Sequence, residues 1–205
     1  MATPEGRTVD GFETQFGTNH VAHFLLFQLL KPTLLASSTP EFASRVVNVS
    51  SIGHGGGPVQ FDDLDFSKSG YDRWKSYGQA KTANILMANQ ISKLYAPKLQ
   101  GLSLHPGGIA TGLQKHLPED FFPWKDPKVA AYIKSTEQGA ATSVWAAVSK
   151  ELEGYGGLYL DDCEVCGPTA SEGGMAYKGY KQWAMDAEAA ERLWKVSNEL
   201  VGITE

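Results

Sequence analysis

Short apolar runs alternate with segments of helical periodicity, and this alternation limits the possible folds more than any other feature of the sequence. The runs span residues 45–50, 100–104 and 157–161. Each has the length of one strand and is bounded by Ser, Gly or Pro, which predicts a buried strand. Strands that alternate with helices form parallel sheets, so the sequence predicts an α/β fold.

Four segments repeat apolar residues at helical spacing: 11–35, 77–94, 137–152 and 185–200. Asp10 followed by Glu13 is typical of a helix start, with Asp10 as N-cap, and Pro32 predicts a bend in the first helix. Segment 54–74 and the aromatic-rich segment 113–133 have no such period. We therefore expect two long loops, and loops of that length in a compact domain tend to be functional.

Charge and composition exclude several classes of function. The chain has 205 residues and a net charge of −5, whereas a nucleic-acid partner requires a basic face. No apolar run approaches the length of a membrane span, and the first ten residues lack the pattern of a secretory signal. We therefore expect one domain over residues 1–205, located in the cytoplasm, with a small-molecule substrate.

The two cysteines, Cys163 and Cys166, form a single C-x-x-C motif near the end of the third predicted strand. A structural zinc site needs four ligands, and no second C-x-x-C or H-x-x-x-H motif accompanies this one. We therefore expect no metal site, and two reduced thiols in a reducing compartment.

Tyr77 and Lys81 lie four residues apart in a predicted helix, so their side chains share one face. A phenol with its ordinary pKa near 10 is almost fully protonated at neutral pH. An ammonium one turn away should lower that pKa, and such a tyrosine can exchange a proton with an alcohol or carbonyl oxygen. The spacing alone also occurs by chance, as a solvated ion–phenol pair.

Two further polar residues fall where a ligand site is expected. Ser51 follows the first predicted strand, and ligands gather at the carboxyl ends of parallel strands. The alternative for Ser51 is a serine that only caps a turn. Asn19 lies midway along an apolar helix, where a buried amide needs partners and suggests a polar network or an ordered water. The alternative for Asn19 is an exposed side chain on the back of the helix.

The segment 105–111, His-Pro-Gly-Gly-Ile-Ala-Thr, follows the second predicted strand. Glycine allows the backbone to approach a ligand closely, and exposed N–H groups with the Thr111 hydroxyl could hold an amide or a phosphate. Taken alone, this turn identifies no function.

Together, these motifs in this order resemble the short-chain dehydrogenases/reductases. The resemblance begins near residue 3 and is closest to the branch of retinol dehydrogenases and WW-domain oxidoreductases. The general motifs are Thr-Asn-His-Val-Ala-His-Phe (18–24), Val-Asn-Val-Ser-Ser (47–51), Tyr77-x-x-x-Lys81 and Pro106-Gly-x-Ile109-x-Thr111. The branch motifs are Gly-Phe-Glu-x-Gln-Phe (11–16), Leu-His-Pro-Gly-Gly (104–108), Tyr-Leu-x-Asp-Cys (159–163) and Leu193-Trp194.

The resemblance implies a role for each of these residues. Tyr77 would be the acid/base, and Lys81 would lower its pKa and hold the nicotinamide ribose. Ser51 would position the substrate oxygen, and Asn19 would shape the active-site helix and a proton-relay water. Ile109 and Thr111 would contact the nicotinamide end of the cofactor. The branch favours NADP, although NAD is not excluded by the sequence, and its members pair through the helices 11–35 and 77–94, which implies a homodimer.

The glycine-rich turn that holds the cofactor pyrophosphate in this family has no counterpart in the sequence. The glycines at 53–57 lead into Pro-Val-Gln-Phe and not into a helix, so they offer no helix dipole to a phosphate. We therefore expect the C-terminal portion of a Rossmann-like parallel sheet with flanking helices, lacking roughly the first third of a usual member. Its first strand, 46–49, would then lie at an exposed edge.

Three functions are compatible with this partial domain. The first is an NAD(P)-dependent oxidoreductase that interconverts an alcohol and a carbonyl. The second is a cofactor-free homologue that catalyses a non-redox reaction such as isomerisation or cyclisation, and the third is an inert interaction protein. Phe121, Phe122, Trp124 and Tyr132 could form an apolar substrate lid, or could only pack the insertion.

Overall fold

The computed structural model describes residues 1–118, 127–170 and 178–204, with a central sheet and helices on both of its faces. The strands are β1 (Ser44–Val49), β2 (Leu99–His105), β3 (Gly108–Ile109), β4 (Ile133–Lys134), β5 (Leu158–Asp161) and β6 (Glu164–Cys166). The α-helices are α1 (Thr14–Phe16), α2 (Ala22–Ser37), α3 (Arg73–Tyr95), α4 (Pro127–Ala130), α5 (Thr136–Val148) and α6 (Ala187–Leu200).

The main sheet has the strand order β1-β2-β5-β6, with β1, β2 and β5 parallel and β6 antiparallel to β5. The predicted α/β class and all three predicted strands are therefore confirmed. Strands β3 and β4 form a separate parallel pair. The sequence did not indicate β3, β4 or β6, because two or three residues are too few to show a strand period.

Helices α2, α3 and α6 pack on one face of the sheet and α5 on the other. The apolar residues of β1 alternate accordingly, because successive side chains of a strand point to opposite faces. Val46 joins the cluster that contains Phe24 of α2 and Trp194 of α6, whereas Val47 joins the cluster that contains Ala146 of α5. Both faces of the sheet are thus covered, as parallel sheets require.

Helix α3 crosses β2 very closely, and a glycine makes this approach possible. A Cβ atom at Gly101 would lie 2.0 Å from the carbonyl oxygen of Ala88, a distance that no side chain could accept. This contact fixes the depth of α3 against the sheet. It therefore also fixes the height of the side chains that α3 carries towards the carboxyl ends of the strands.

The first helix does not begin as predicted. Gly11 has a φ of +87°, which interrupts helical backbone, and the N-cap is Glu13 and not Asp10. The Glu13 carboxylate accepts the backbone N–H groups of Gln15 and Phe16, each at 2.8 Å. The helix then contains a π-helical turn over Gly17–Val21 and continues past Pro32 to Ser37.

Three other helix boundaries differ from the sequence prediction. Helix α3 begins at Arg73, because Asp72 caps it, so Tyr77 lies in its second turn and not at its start. Helix α5 ends at Val148 and is followed by a short 3-10 turn over Lys150–Leu152. Helix α6 begins at Ala187, where Asp186 accepts the N–H groups of the first turn.

Strand β1 forms an edge of the main sheet in the described part of the chain, as expected for 46–49. Its last residue, Val49, has 44% of its surface exposed. Across residues 1–118, 127–170 and 178–204, no helix combines the length and apolar content that crossing a bilayer requires. The cytoplasmic location stays a prediction.

Candidate active site

Ser51 is the second residue after the end of β1, at the carboxyl edge of the parallel strands. Its side chain is buried and caps a 3-10 turn over Ile52–Gly56. The Ser51 hydroxyl oxygen accepts the backbone N–H of Gly53 at 2.9 Å. The capping role considered for this serine is therefore real, and it leaves the hydroxyl hydrogen available for another acceptor.

Tyr77 lies beneath this turn with only 4% of its surface exposed. The 3-10 turn rests on the Tyr77 ring, and a Cβ atom at Gly53 would lie 2.7 Å from the ring carbon Cε1. A glycine at position 53 is thus needed for the serine turn to approach the tyrosine. Trp74, one turn earlier in α3, packs edge-on against the same ring at 6.4 Å between centroids.

Ser51 and Tyr77 lie side by side, since the Ser51 hydroxyl oxygen and the Tyr77 ring both lie within 3.2 Å of the place that a Cβ atom at Gly53 would take. Burial raises the pKa of the Tyr77 phenol above 10, and the Ser51 side chain opposes that rise. The net shift is thus opposite to the lowering expected from Lys81, and the contribution of Lys81 itself stays a prediction. The cause of the net shift is desolvation, which disfavours the phenolate more than its surroundings stabilise it.

Lys81 does share one face of α3 with Tyr77, as the spacing predicted. Its ammonium nitrogen lies 5.6 Å from the centre of the Tyr77 ring and donates to the carbonyl oxygen of Val49 at 3.1 Å. Only 9% of the Lys81 surface is exposed, and burial lowers the pKa of its ammonium from 10.5 to about 8. The site therefore holds a poorly solvated positive charge beside the phenol.

Asn19 is the fourth candidate catalytic residue. It is half-buried in the π-helical turn, and its side-chain amide donates to the backbone oxygen of Gln15 at 2.8 Å. Within the residues that the structure describes, it makes no hydrogen bond to Ser51, Tyr77 or Lys81. Its predicted role in a polar network with these residues stays a prediction.

A different asparagine, Asn84, reaches the end of β1. Its amide nitrogen donates to the same Val49 oxygen that receives Lys81, at 3.2 Å, and its backbone oxygen accepts the Asn48 amide at 3.0 Å. Asn84 was missed by the sequence reasoning. A signal was available, because Asn84 is three residues after Lys81 and therefore on the same face of α3.

The turn that follows β2 uses the predicted cofactor residues for its own structure. Thr111 caps a short 3-10 turn, where its hydroxyl oxygen accepts the N–H of Leu113 at 3.2 Å. The Gln114 side chain bonds both to the Thr111 N–H and to the backbone oxygen of Ile109. Thr111 is exposed and Ile109 packs against Gly139 of α5. Their contact with a cofactor stays a prediction.

The aromatic lid is mostly outside the described residues, because Phe121, Phe122 and Trp124 fall in the gap 119–126. Tyr132, the fourth member, has 74% of its surface exposed, so it does not pack the insertion in this structure. Both cysteines are free thiols, Cys163 exposed and Cys166 buried. No group of three or more potential metal ligands occurs among the residues that the structure describes.

Comparison with known proteins finds relatives along the whole chain, although no family model matches it. The short-chain dehydrogenase/reductase prx1 of Penicillium roqueforti is 50% identical over 208 residues, covering 100% of this chain and 61% of that protein. Oxidoreductase calI of Penicillium decumbens is 44% identical, covering 99% of this chain and 61% of that protein. Human retinol dehydrogenase 12 is 35% identical, covering 99% of this chain and 58% of that protein.

Solved structures share the fold. An uncharacterised protein of Mycobacterium paratuberculosis has a TM-score of 0.68 at 29% identity, covering 99% of this chain and 64% of that chain. A short-chain dehydrogenase of Shigella flexneri, solved in complex with NADP, has a TM-score of 0.50 at 23% identity, covering 72% of this chain and 51% of that chain.

The chain belongs to the short-chain dehydrogenase/reductase family, as its motifs indicated. It spans about three-fifths of the curated relatives it matches, 61% in the case of prx1.

Proposed function

We propose that this chain carries the proton-transfer and substrate-binding part of an NADP(H)-dependent oxidoreductase that interconverts an alcohol and a carbonyl on a small apolar substrate. The proposal depends on one observation above all. Ser51 and Tyr77 lie side by side at the carboxyl edge of the parallel strands, with the Lys81 ammonium beside the Tyr77 ring.

In the reductive direction, the Tyr77 phenol donates its proton to the substrate oxygen as a general acid. Its raised pKa keeps it protonated at neutral pH, which supports this direction. The Ser51 oxygen already accepts from Gly53, so its own hydrogen can be donated to the same substrate oxygen. Lys81 places a positive charge beside the site, which stabilises the phenolate that remains after proton transfer.

The donor groups at this end of the sheet fit the nicotinamide end of a dinucleotide. The Lys81 ammonium has three N–H donors, and the bond to Val49 uses one of them, so others can hold ribose hydroxyls. Ile109 and Thr111 follow β2 at the same carboxyl edge. When bound, the cofactor supplies the hydride, and the protein supplies orientation and the proton. NADP is proposed ahead of NAD because the similar branch favours it.

The test is the Tyr77→Phe variant of a protein that contains this chain together with a complete cofactor-binding part, assayed by NADPH oxidation with a panel of apolar aldehydes. General acids contribute about 10²–10⁴-fold to turnover, so we expect a loss of that size with the fold intact. Tyr155→Phe is the matched control, because its ring is exposed and should leave the rate unchanged. Turnover by Tyr77→Phe within a few-fold of the parent protein would contradict the proposal.

A second role, pairing with another chain, is supported by the outer surface of α2. Four leucines of this helix, Leu25, Leu26, Leu29 and Leu30, expose between 38% and 69% of their surfaces. A contiguous apolar stripe of this kind is typical of an interaction surface. We propose a homodimer that uses this stripe. Helix α3, the other helix predicted to pair, is buried within the chain and exposes mainly its two ends.

A further inference from the structure

The peptide group that joins Ser51 to Ile52 is bonded to a histidine ring at each of its two ends. The Nδ1 atom of His54 lies 2.6 Å from the carbonyl oxygen of Ser51. The N–H of Ile52 donates to the Nδ1 atom of His105 at 3.2 Å. One ring must donate and the other must accept, so this single peptide fixes the state of two imidazoles.

The backbone decides which nitrogen of His54 carries the hydrogen. The N–H of Lys181 donates to His54 Nε2 at 3.1 Å, so Nε2 is an acceptor and has no hydrogen. In a neutral ring the hydrogen is then on Nδ1, which donates to Ser51. The ring is fully buried and packs on Tyr159 at 5.2 Å between centroids. Burial also lowers the pKa of His54, which keeps the ring neutral.

His105 must be neutral as well, because its Nδ1 atom accepts from Ile52. The pKa of His105 is lowered to about 4, chiefly by burial, with smaller contributions from the Lys134 charge and the His54 ring and an opposing one from Asp162. His105 is the last residue of β2, a strand that the close contact at Gly101 holds against α3. The accepting Nδ1 atom of His105 is therefore held in place by a strand whose position is fixed.

The Ser51–Ile52 peptide group, which the two histidine rings hold, determines where the Ser51 hydroxyl lies. The hydroxyl is only a few bonds from the Ser51 carbonyl, and its oxygen is bonded to the Gly53 N–H one residue beyond the held group. The turn has little freedom, because Gly53 is pressed against the Tyr77 ring. A shift of the peptide would thus move the Ser51 hydroxyl away from the Tyr77 phenol.

We propose that His54 and His105 are positioning residues that hold the Ser51–Ile52 peptide so that the Ser51 hydroxyl meets the Tyr77 phenol. This inference rests on the proposed function, in which that pair of hydroxyls addresses the substrate oxygen. Neither histidine touches the reacting atoms. Both act through Ser51, one as a donor to its carbonyl and the other as an acceptor for the following amide.

Asparagine and leucine form a matched pair of substitutions at each position. Leucine has nearly the shape of asparagine but no polar atom. His54→Asn keeps a donor near the place of Nδ1, and His105→Asn keeps an acceptor there, whereas His54→Leu and His105→Leu keep neither. A displacement near 1 Å can cost about a hundredfold in rate, so we expect each leucine variant to lower kcat about 10- to 100-fold, with the KM for NADPH nearly unchanged.

The asparagine variants should recover to within about threefold of the parent kcat, because they restore the hydrogen bond to the peptide. In a Ser51→Ala background each leucine substitution should change kcat by less than about twofold, since residues that act as a unit are non-additive. Exchange of the Ile52 amide hydrogen should be fast in His105→Leu and slow in His105→Asn. This last measurement needs no catalysis and stays informative if Tyr77→Phe refutes the proposed function.

Three results would overturn the inference. The first is a folded His105→Leu protein with the parent kcat. The second is a full loss of rate on adding the leucine substitution to Ser51→Ala, which would place the histidines outside any action through Ser51. The third is slow Ile52 exchange in His105→Leu. If His54→Leu fails to fold, the comparison of His105→Leu with His105→Asn still tests the inference.

Discussion

Helices α2 and α3 are successive long helices of the chain, and they bury very different shares of their surfaces. Helix α2 is rich in leucine and phenylalanine, yet only Phe24, Phe27 and Gln28 are buried within it. Helix α3 carries many polar residues, yet residues 76–88 are all buried. The more apolar helix is therefore the more exposed one, and the candidate catalytic residues Tyr77 and Lys81 lie on the more buried one.

The polar residues of α3 are buried because they hydrogen-bond to the 3-10 turn at Ile52–Gly56 and to the loop that follows it. Gln79 accepts the N–H of Gln60 and donates to the oxygen of Leu64, each at 2.8 Å. Thr82 donates its hydroxyl to the backbone oxygens of His54 and Gly57. Loop backbone that lies against a protein core must find hydrogen-bond partners. Burial of a helix thus depends on what its side chains can bond, as well as on how apolar they are.

The largest expected effect concerns matched leucines on the two helices. Leu86 of α3 is fully buried, whereas Leu29 of α2 has 69% of its surface exposed. Truncation of a buried leucine to alanine costs about 2–5 kcal/mol, so Leu86→Ala should lower the free energy of unfolding by that amount. Leu29→Ala should change it by less than about 0.5 kcal/mol. Denaturant titration measures both, and equal losses would remove the contrast between the helices.

The next effect concerns the cost of burying Lys81. Its ammonium has a pKa of about 8 when folded, against an ordinary value of 10.5. Between these pH values the unfolded chain binds more protons, so the free energy of unfolding rises with pH across that window, by about 3 kcal/mol at most. Below pH 8 Lys81 is charged in the folded protein, and the free energy of unfolding is lowered by the full cost of burying that charge. Lys81→Met should remove this cost.

Lys81→Met should therefore raise the free energy of unfolding at neutral pH by about 1–3 kcal/mol, after allowing for the lost bond to Val49. It should also abolish the rise between pH 8 and 10.5, the interval bounded by the folded and ordinary pKa values. Lys75→Met, on an exposed position of the same helix, is the control and should do neither. A destabilised Lys81→Met protein with an unchanged pH profile would show that the ammonium is well solvated.

The smallest effect on stability is expected on the outer stripe of α2. Leu26→Lys and Leu29→Lys place charges on exposed positions, so each should change the free energy of unfolding by less than about 0.5 kcal/mol. If the stripe pairs two copies, these variants should sediment as monomers at concentrations where the parent protein sediments as a dimer. A parent protein that remains monomeric at tens of micromolar would contradict the proposed homodimer.

The contrast between α2 and α3 also shows where sequence reasoning reaches its limit. The strands β1, β2 and β5 were predictable because each is a short apolar run between turn residues. The shared face of Tyr77 and Lys81 followed from their spacing, and the position of Ser51 followed from strand topology. Local pattern determines each of these features.

The features that were missed depend on contacts between distant residues. The pKa of Tyr77 is set by burial under a turn from another element, which spacing along one helix does not reveal. The roles of His54 and His105 require knowledge that both rings meet one peptide group, although these residues are far apart in sequence. The helix start was misplaced because the φ of Gly11 is a property of the folded backbone.

In the proposed function, this chain supplies the proton chemistry and the contacts to the nicotinamide end of a cofactor. No glycine-rich phosphate-binding motif occurs in its 205 residues. Phosphate sites of that kind offer several charge-assisted hydrogen bonds, each worth about 1.5–3 kcal/mol. Every 1.4 kcal/mol is about a tenfold change in affinity, so three or four missing bonds weaken binding by several powers of ten.

Calorimetric titration of the folded 205-residue chain with NADPH measures this most directly. We expect no binding with a Kd below about 1 mM, which corresponds to about −4 kcal/mol. A micromolar Kd for the 205-residue chain would contradict this expectation, because the chain would then contain a phosphate site built without a glycine-rich motif.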